Sequence, residues 1–377
     1  MIKILHIMDN IAVCSGVSSV VMNIYRNIDR RLIQFDFLVS NCVDVSYEDE
    51  IKEYGGNIYY TGNPLSYKSF ISTCINNKFF FINNGLKYEA VHLHSPTIAD
   101  MTIRYAKKYN VKNIIIHSHS TMFSNNPIKA IINMYLRRNI TKYANRYFAC
   151  STEAAEFLYG KKFCRTHIVE IIKNGVDTSK YAFDAESKKN ILNEWNWNGN
   201  IVVLHVSNFS PIKNLPFIVQ IIESVVKKRK DIRFLFIGDG KTKNSIEISI
   251  HNKNLQGYCK FLGSTNKVNY FLSAADILVL PSIKEGLPVS VVEAQANGIQ
   301  CLVSSNITRE VDTGNVKFIQ LNNQEWANMI CEYKPLSEEE RVKKCINFEE
   351  SCFNIKKEVK KLEKIYLEIK YNKKIVT

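Results

Sequence analysis

The chain has 377 residues, 46% hydrophobic and 23% charged, with a formal net charge of +14. That length exceeds a usual single core and implies two domains, and the ordinary composition excludes fibrous, disordered and membrane-spanning classes. No apolar stretch approaches bilayer length. The opening run Ile2–Met8 leads into Asp9-Asn10 rather than a cleavage site, so no signal peptide is expected. The ten cysteines lack C-x-x-C spacing, which argues against a zinc or disulfide framework and suits a reducing cytosol.

Strand-like runs fall at Ile2–Met8, Phe35–Val39, Asn57–Tyr60, Ala90–His94, Asn113–Ser118 and Arg146–Cys150. Helical patterns, such as Val17–Ile28 and Thr97–Lys108, lie between them. This alternation predicts a mainly parallel, doubly wound α/β sheet. A turn signal, Asn174-Gly175-Val176-Asp177, and a polar stretch through Asn198 follow. The pattern then restarts with strands at Ile201–Val206, Arg233–Ile237, Lys260–Leu262, Asp276–Leu280 and Gln300–Ser304. We therefore expect domains at 1–178 and 179–350, with a final helix within 351–377. No short internal repeat is evident.

Two amphipathic segments have a choice of partner. The tail from Ile355 places Val359, Leu362, Tyr366 and Ile369 on one stripe with lysines opposite; packing on its own protein is the plain reading, and a membrane or partner helix the other. Pro127–Phe148 carries Ile128, Ile131, Ile132, Tyr135 and Leu136 beside Lys129, Arg137, Arg138, Lys142 and Arg146. It reads equally as core packing with a solvated basic face or as a helix resting on anionic lipid. The excess positive charge reflects a Lys/Asn/Ile-biased composition, attraction to an anionic membrane surface, or nucleic-acid binding, for which no recognised motif is present; charge alone does not choose among the three.

The most informative segment is Glu285-Gly286-Leu287-Pro288-Val289-Ser290-Val291-Val292-Glu293. It follows the apolar run Asp276–Leu280 and the break Pro281-Ser282. Pro288 is expected in the first turn of a helix, where a fixed φ fits and no N–H is needed, and Asn297-Gly298 closes that helix with residues tolerant of left-handed backbone. Amides at the helix start favour an anion. Glu285 in the loop and Glu293 more than a turn along can both line the crevice at the carboxyl end of the strands. Taken alone, two such carboxylates are better explained by helix-dipole complementation and a solvated helix face.

The long form of this motif, Pro-Ser, two residues, Glu-Gly-Leu-Pro, four residues, Glu-Ala, resembles the retaining glycosyltransferases of family 4, of the bacterial capsule, exopolysaccharide and O-antigen type. That resemblance spans nearly the whole chain and includes the opening Phe35-Asp36-Phe37-Leu38-Val39. It implies a GT-B fold: two Rossmann-like domains facing a cleft, acceptor site in the first and nucleotide-sugar site in the second, with the last helix returning to the first. By the same resemblance Glu293 binds the donor ribose, Glu285 contacts the transferred sugar, and Gly286, Leu287 and Pro288 lie against sugar and diphosphate. A carboxylate can accept two hydrogen bonds from a vicinal diol, which suits the first of these roles.

Other segments fit the resemblance with departures. Ser207-Asn208-Phe209 through Lys213-Asn214 matches a Gly-Arg-Phe…Lys-Asn loop whose Arg and Lys grip the donor phosphates. Lys213 is kept, but Ser207 replaces the glycine and Asn208 the arginine, so one of two cations is missing. Ser15-Gly16 stands where the family has Gly-Gly, and Gly16 is the expected backbone contact to the phosphates. His92-x-His94 and His117-x-His119 end two strands, with each pair on one face. Four imidazoles can in principle hold a metal, but no carboxylate or cysteine joins them and no metal is expected. The resemblance assigns a histidine here to the sugar and acceptor, His117 first and His119 second. Gly238-Asp239-Gly240-Lys241-Thr242 is not a P-loop, because Leu235 stands where the first glycine is required; the family it resembles has Gly-x-Gly at this point, which implies a tight strand–helix turn. No D-x-D falls in a plausible site and no G-x-G-x-x-G follows the first strand.

The expected activity is retaining, metal-independent transfer of a hexosyl or N-acetylhexosaminyl unit from a UDP-sugar to a lipid-linked or growing glycan. No resident cofactor is expected, the nucleotide sugar being a co-substrate, and the location is cytoplasmic, peripheral on the inner membrane face. The alternatives are a UDP-sugar epimerase of the same architecture and a non-catalytic partner in a membrane polysaccharide complex.

Overall fold

The computed structural model describes residues 1–13, 15–62, 67–94, 99–121 and 140–371. Two compact units divide the chain: Met1–Lys173 with Lys356–Thr377, and Asn174–Ile355. The sequence-based divisions at 178 and 350 fall five residues after Lys173 and five before Ile355.

The first unit is built on strands β1 (Ile2–Met8), β2 (Ile33–Val39), β3 (Ile58–Tyr60), β4 (Ala90–Leu93), β5 (Asn113–Ser118), β6 (Arg146–Ala149) and β7 (Glu170–Ile171). Their order is β3-β2-β1-β4-β5-β6-β7 and every pairing is parallel. The second unit uses β8 (Ile201–Val206), β9 (Ile232–Ile237), β10 (Cys259–Phe261), β11 (Ile277–Leu280), β12 (Gln300–Ser304) and β13 (Val316–Ile319). Their order, again all parallel, is β10-β9-β8-β11-β12-β13. Strands such as β2, β4 and β11 are buried at every residue; β11 accordingly reads as a continuous apolar run, while β2 also buries Gln34 and Asp36 and β4 buries His92. In each sheet the chain order reverses at one place, between β1 and β4 and between β8 and β11. Parallel α/β sheets open a crevice for ligands at such a switch point.

Six helices bear on function: α1 (Gly16–Asn27), α2 (Tyr67–Asn84), α3 (Leu215–Lys228), α4 (Val289–Ala296), α5 (Glu338–Glu349) and α6 (Ile355–Tyr371). Ser15 caps α1 by accepting from the Ser18 amide. The tail helix α6 belongs to the first unit from Lys356 onward, and Val359, Leu362, Ile365, Tyr366 and Ile369 are buried. Each such side chain contributes on the order of 1.5–3 kcal/mol on burial. Lys361 Nζ donates to the Ile171 carbonyl at 2.6 Å, and Glu363 accepts from the Asp29 amide at 2.8 Å. Of the two readings of the tail, packing on its own protein is the one observed.

Of the expected basic helix Pro127–Phe148, residues 127–139 lie outside the described residues. The remainder does not continue as helix to Phe148: Ile140–Tyr143 is helical and Arg146–Ala149 is β6. Edge strands β7 and β13 escape the sequence reading because they are short and only partly buried, with Lys317 exposed in the second.

Candidate active site

In the second unit the switch point brings two loops together. The loop after β8 carries Ser207 to Ser210 and leads through the short turn Pro211–Lys213 to α3. The loop after β11 carries Pro281 to Pro288 and leads to α4. Lys213 Nζ lies 2.5 Å from Glu285 Oε1, their side chains 15% and 14% exposed. The Ile283 amide donates to the Ile212 carbonyl at 2.8 Å, so backbone as well as charge ties the loops. An ammonium and a carboxylate so withdrawn from water attract strongly but still require solvation. Both are therefore poised to exchange this contact for one with a ligand.

Pro288 occupies the N-cap of α4, φ −70° and ψ 114°, one position ahead of the expected first turn. No side chain caps α4 and its first turn holds no acidic residue, so its amides present positive potential to the loop. Gly286, Leu287 and Pro288 are buried beside it. Gly298 closes the helix at φ +77°, where a Cβ would approach the Arg341 carbonyl to 2.6 Å. Glu293, in the second turn, is 7% exposed and its Oε1 accepts from the Tyr181 hydroxyl at 2.7 Å.

His205 orders the first loop. Its Nδ1 is 2.9 Å from the Val279 carbonyl, which can only accept, so Nδ1 carries the proton. Nε2, 2.7 Å away, then accepts from the Ser207 hydroxyl. Burial, helped by the charge of Lys213 and opposed by the Val279 hydrogen bond, lowers the His205 pKa to about 4, so the ring is neutral at pH 7. Asn208 is exposed and accepts from the Ser210 hydroxyl at 2.9 Å. Gly238 has φ +134°, and a Cβ there would stand 1.8 Å from the Ser207 carbonyl. The Gly238-x-Gly240 segment, where the resemblance implied a tight turn, makes a close backbone approach to the Ser207–Phe209 loop after β9.

Several participants were not legible beforehand. Asn174 Nδ2 donates to the Leu287 carbonyl at 2.8 Å, so the Asn-Gly-Val-Asp turn holds the Glu285 loop as well as setting backbone geometry. Tyr181 orients Glu293, and Asn297 Nδ2 donates to the Tyr181 carbonyl at 2.9 Å. The Ser282 hydroxyl is fully buried in the same loop and has no hydrogen-bond partner among the described residues. Each pairing joins residues 112 or more positions apart in the chain, and nothing in local spacing signals it.

In the first unit Gly16 opens α1 on an exposed position, and a Cβ there would meet no atom within 4 Å. Packing therefore does not demand glycine at that point. His117, in β5, is 1% exposed, whereas His119 is half-buried. His117 Nδ1 is 3.2 Å from His92 Nε2.

Two Rossmann-like sheets, each with a single reversal, and an anion-favouring loop beside paired Lys213 and Glu285 define a doubly wound α/β protein with a candidate ligand site at a switch point. Residues 14–180 match the model for Glycosyltransferase Family 4, and residues 187–313 match that for Glycosyl transferases group 1. The chain belongs to these family 4, group 1 glycosyltransferases and is a glycosyltransferase. Among its relatives, EpsF of Bacillus subtilis is 29% identical over 83% of this chain and 81% of its own. The UDP-Gal:alpha-D-GlcNAc-diphosphoundecaprenol alpha-1,3-galactosyltransferase of Escherichia coli is 26% identical over 76% of this chain and 77% of its own. HepE of Anabaena, solved in complex with UDP and glucose, superposes with a TM-score of 0.78 at 14% identity, covering 97% of this chain and 99% of that one. That likeness supports the GT-B assignment.

Proposed function

We propose that the enzyme transfers a hexosyl or N-acetylhexosaminyl unit, with retention, from a UDP-sugar to a lipid-linked or growing glycan in surface-polysaccharide synthesis. The observation that carries this reading is the Lys213–Glu285 pair at the β8/β11 switch point, beside the uncapped N-terminus of α4 and with Glu293 one turn further on. The Escherichia coli relative is named for a UDP-linked donor and a diphosphoundecaprenol-linked acceptor, which supports the same classes here.

In this reading the anomeric carbon–oxygen bond to the diphosphate breaks as the acceptor oxygen bonds to that carbon from the same face. The acceptor proton passes to the departing phosphate. Lys213 and the α4 amides take up the charge on that phosphate, the task a metal ion performs elsewhere. The cost of losing the family's arginine at Asn208 then falls on Lys213. Glu285 positions the sugar, Glu293 accepts from the ribose hydroxyls, Ser207, Gly286, Leu287 and Pro288 shape the phosphate pocket, and Gly16 and His117 serve from the first domain. An epimerase of this architecture would turn over UDP-sugar without acceptor, so acceptor dependence separates the two.

We place the enzyme on the inner membrane face, and helix α2 supports this. Ile71, Ile75, Phe79 and Ile82 are exposed along one stripe, which Leu86 extends, while Thr73 and Asn77 on the opposite face are buried. At about 100° per residue the apolar stripe spans about 80° of the helix. Exposed Lys78 and Lys87 flank it, and apolar side chains with basic neighbours suit an anionic lipid surface.

Calorimetry with UDP, without divalent metal, tests the donor assignment on native protein and Glu293→Ala. Binding in the native protein that is lost in the variant is expected. No UDP binding by folded native protein would overturn the assignment and favour a non-catalytic role in a polysaccharide complex.

A further inference from the structure

The sheet of the first unit carries an imidazole cluster that the donor reading does not use. β1 and β4 pair His6 with His92, and β5 continues the register with Ile115 opposite His92. Residues two apart on a strand share a face. His6, His92, His94, His117 and His119 therefore stand on one face, at the carboxyl ends of β1, β4 and β5. His6, His92, His94 and His117 are buried and His119 is half-buried. His6 completes what the two His-x-His spacings only suggested.

Two hydrogen-bonded chains run through the cluster. In one, the Tyr366 hydroxyl lies 2.6 Å from His92 Nδ1, and His92 Nε2 lies 3.2 Å from His117 Nδ1. In the other, His6 Nδ1 is 2.9 Å from His94 Nε2, and His94 Nδ1 is 2.8 Å from His119 Nε2. A neutral imidazole has one donor and one acceptor. Burial keeps all five rings neutral at pH 7, their pKa values lying well below the ordinary 6.5. The chains then end in ring nitrogens with nothing to bond: among the described residues His6 Nε2, His117 Nε2 and His119 Nδ1 are buried without a hydrogen-bond partner. Such groups cost about 1–3 kcal/mol each when left unsatisfied, and a fold has little reason to collect three of them.

We propose that this cluster binds a divalent cation of the zinc class, with His94, His117 and His119 as ligands and His6 and His92 behind them. The three ligands offer nitrogens that all lie within 4.8 Å of one another. Tetrahedral zinc, with bonds of about 2.0–2.1 Å, holds its nitrogens about 3.3 Å apart, so binding draws the rings inward. Metal-bound imidazoles use the remaining N–H to reach an outer partner, and that partner is already present for His117 and His94. His117 Nδ1–H can donate to His92 Nε2, whose Nδ1–H can donate to Tyr366; His94 Nε2–H can donate to His6 Nδ1. One cation thereby fixes the tautomers of both chains and satisfies the free ends at His117 and His119. An all-nitrogen set selects zinc, cobalt, nickel or copper over magnesium and calcium. Half-buried His119 gives an approach from solvent, and three protein ligands leave a fourth position open. His117 would then act through the cation rather than touching sugar. This site is distinct from the donor phosphates, which the second domain is proposed to hold without metal.

The test uses tag-free, metal-stripped native protein titrated with Co2+. The expected result is one equivalent bound, with the intense visible bands of four-coordinate cobalt, bleached by one equivalent of Zn2+. His119→Ala, at the most accessible ligand, should weaken cobalt binding at least tenfold while the protein remains folded by circular dichroism. Absence of stoichiometric binding to the native protein would overturn the proposal. Spectra dominated by sulfur charge transfer and unchanged in His119→Ala would overturn it equally, since the cysteines would then hold the ion. UDP affinity of the metal-stripped protein is a separate readout: its loss would count against the donor reading, not against this one.

Discussion

Lys213→Ala isolates the residue that the donor site relies on most. The ammonium is 15% exposed and 2.5 Å from Glu285, so the substitution has two separable effects. Breaking a fully buried pair costs about 3–5 kcal/mol, and an exposed pair about 0–1; at this exposure about 1–3 kcal/mol of domain stability should be lost. A charge-assisted hydrogen bond to the diphosphate is worth about 1.5–3 kcal/mol, which is about 10- to 150-fold in affinity. Calorimetric titration with UDP at low salt should show that weakening. Glu285→Gln provides the contrast, because it releases Lys213 from its carboxylate. UDP should then bind equally well or more tightly while transfer to acceptor falls. A UDP affinity within threefold of native in folded Lys213→Ala would refute the argument, since the pair would then be a structural clasp only.

Three further outcomes follow from local geometry. Gly238→Ala should lower soluble yield and thermal stability of the second domain, by more than the about 1–2 kcal/mol of left-handed backbone alone, because its Cβ would stand 1.8 Å from the Ser207 carbonyl; a melting temperature unchanged from native would contradict this. Below pH 6.5 the unfolded chain protonates His205 while the folded ring, with its pKa near 4, stays neutral, so stability is lost as pH falls from about 6.5 to 4, at up to about 1.4 kcal/mol per unit. Urea unfolding of His205→Gln should show a shallower loss over that window, and an identical slope would remove His205 as its cause. Ile75→Glu with Phe79→Glu should reduce sedimentation with vesicles containing phosphatidylglycerol without changing UDP affinity; undiminished sedimentation would move the membrane contact away from α2.

What the sequence reveals is what lies within a short stretch of chain. Strands buried on both faces are mostly apolar, so β1, β2, β8 and β11 stand out although β1, β2 and β8 each carry a polar residue (His6, Asp36 and His205 among them), and the Glu285–Glu293 segment contains loop, helix start and both carboxylates within nine residues. Chemistry created by topology was out of reach. Lys213 meets Glu285 across 72 positions, Asn174 meets the Leu287 carbonyl across 113, and Tyr181 meets Glu293 across 112. Such contacts depend on which strands become neighbours, and periodicity does not state that. The placement of Pro288 at the N-cap shows the smaller limit, since φ near −70° suits the position before the helix as well as its first turn.

The two domains solve the same local problem in different ways, and the difference bears on the imidazole cluster. Their central strands end alike, Leu5-His6-Ile7 in β1 and Leu204-His205-Val206 in β8. Each histidine pairs in register with a phenylalanine on the second strand, Phe37 for His6 and Phe236 for His205. Across the switch point they part. His205 finds the Val279 carbonyl on one side and the Ser207 hydroxyl on the other, so both ring nitrogens are satisfied by fixed groups. His6 finds His94, which leads to His119, and beside them His92 leads to His117. A ring that hands its hydrogen-bonding need to another ring does not end the need; it carries it to the sheet's carboxyl edge. There both ring nitrogens of His205 are satisfied, whereas in the first domain the chains end in unpartnered ring nitrogens among the described residues. That asymmetry, more than the number of histidines, is why a cation is expected at one switch point and not at the other.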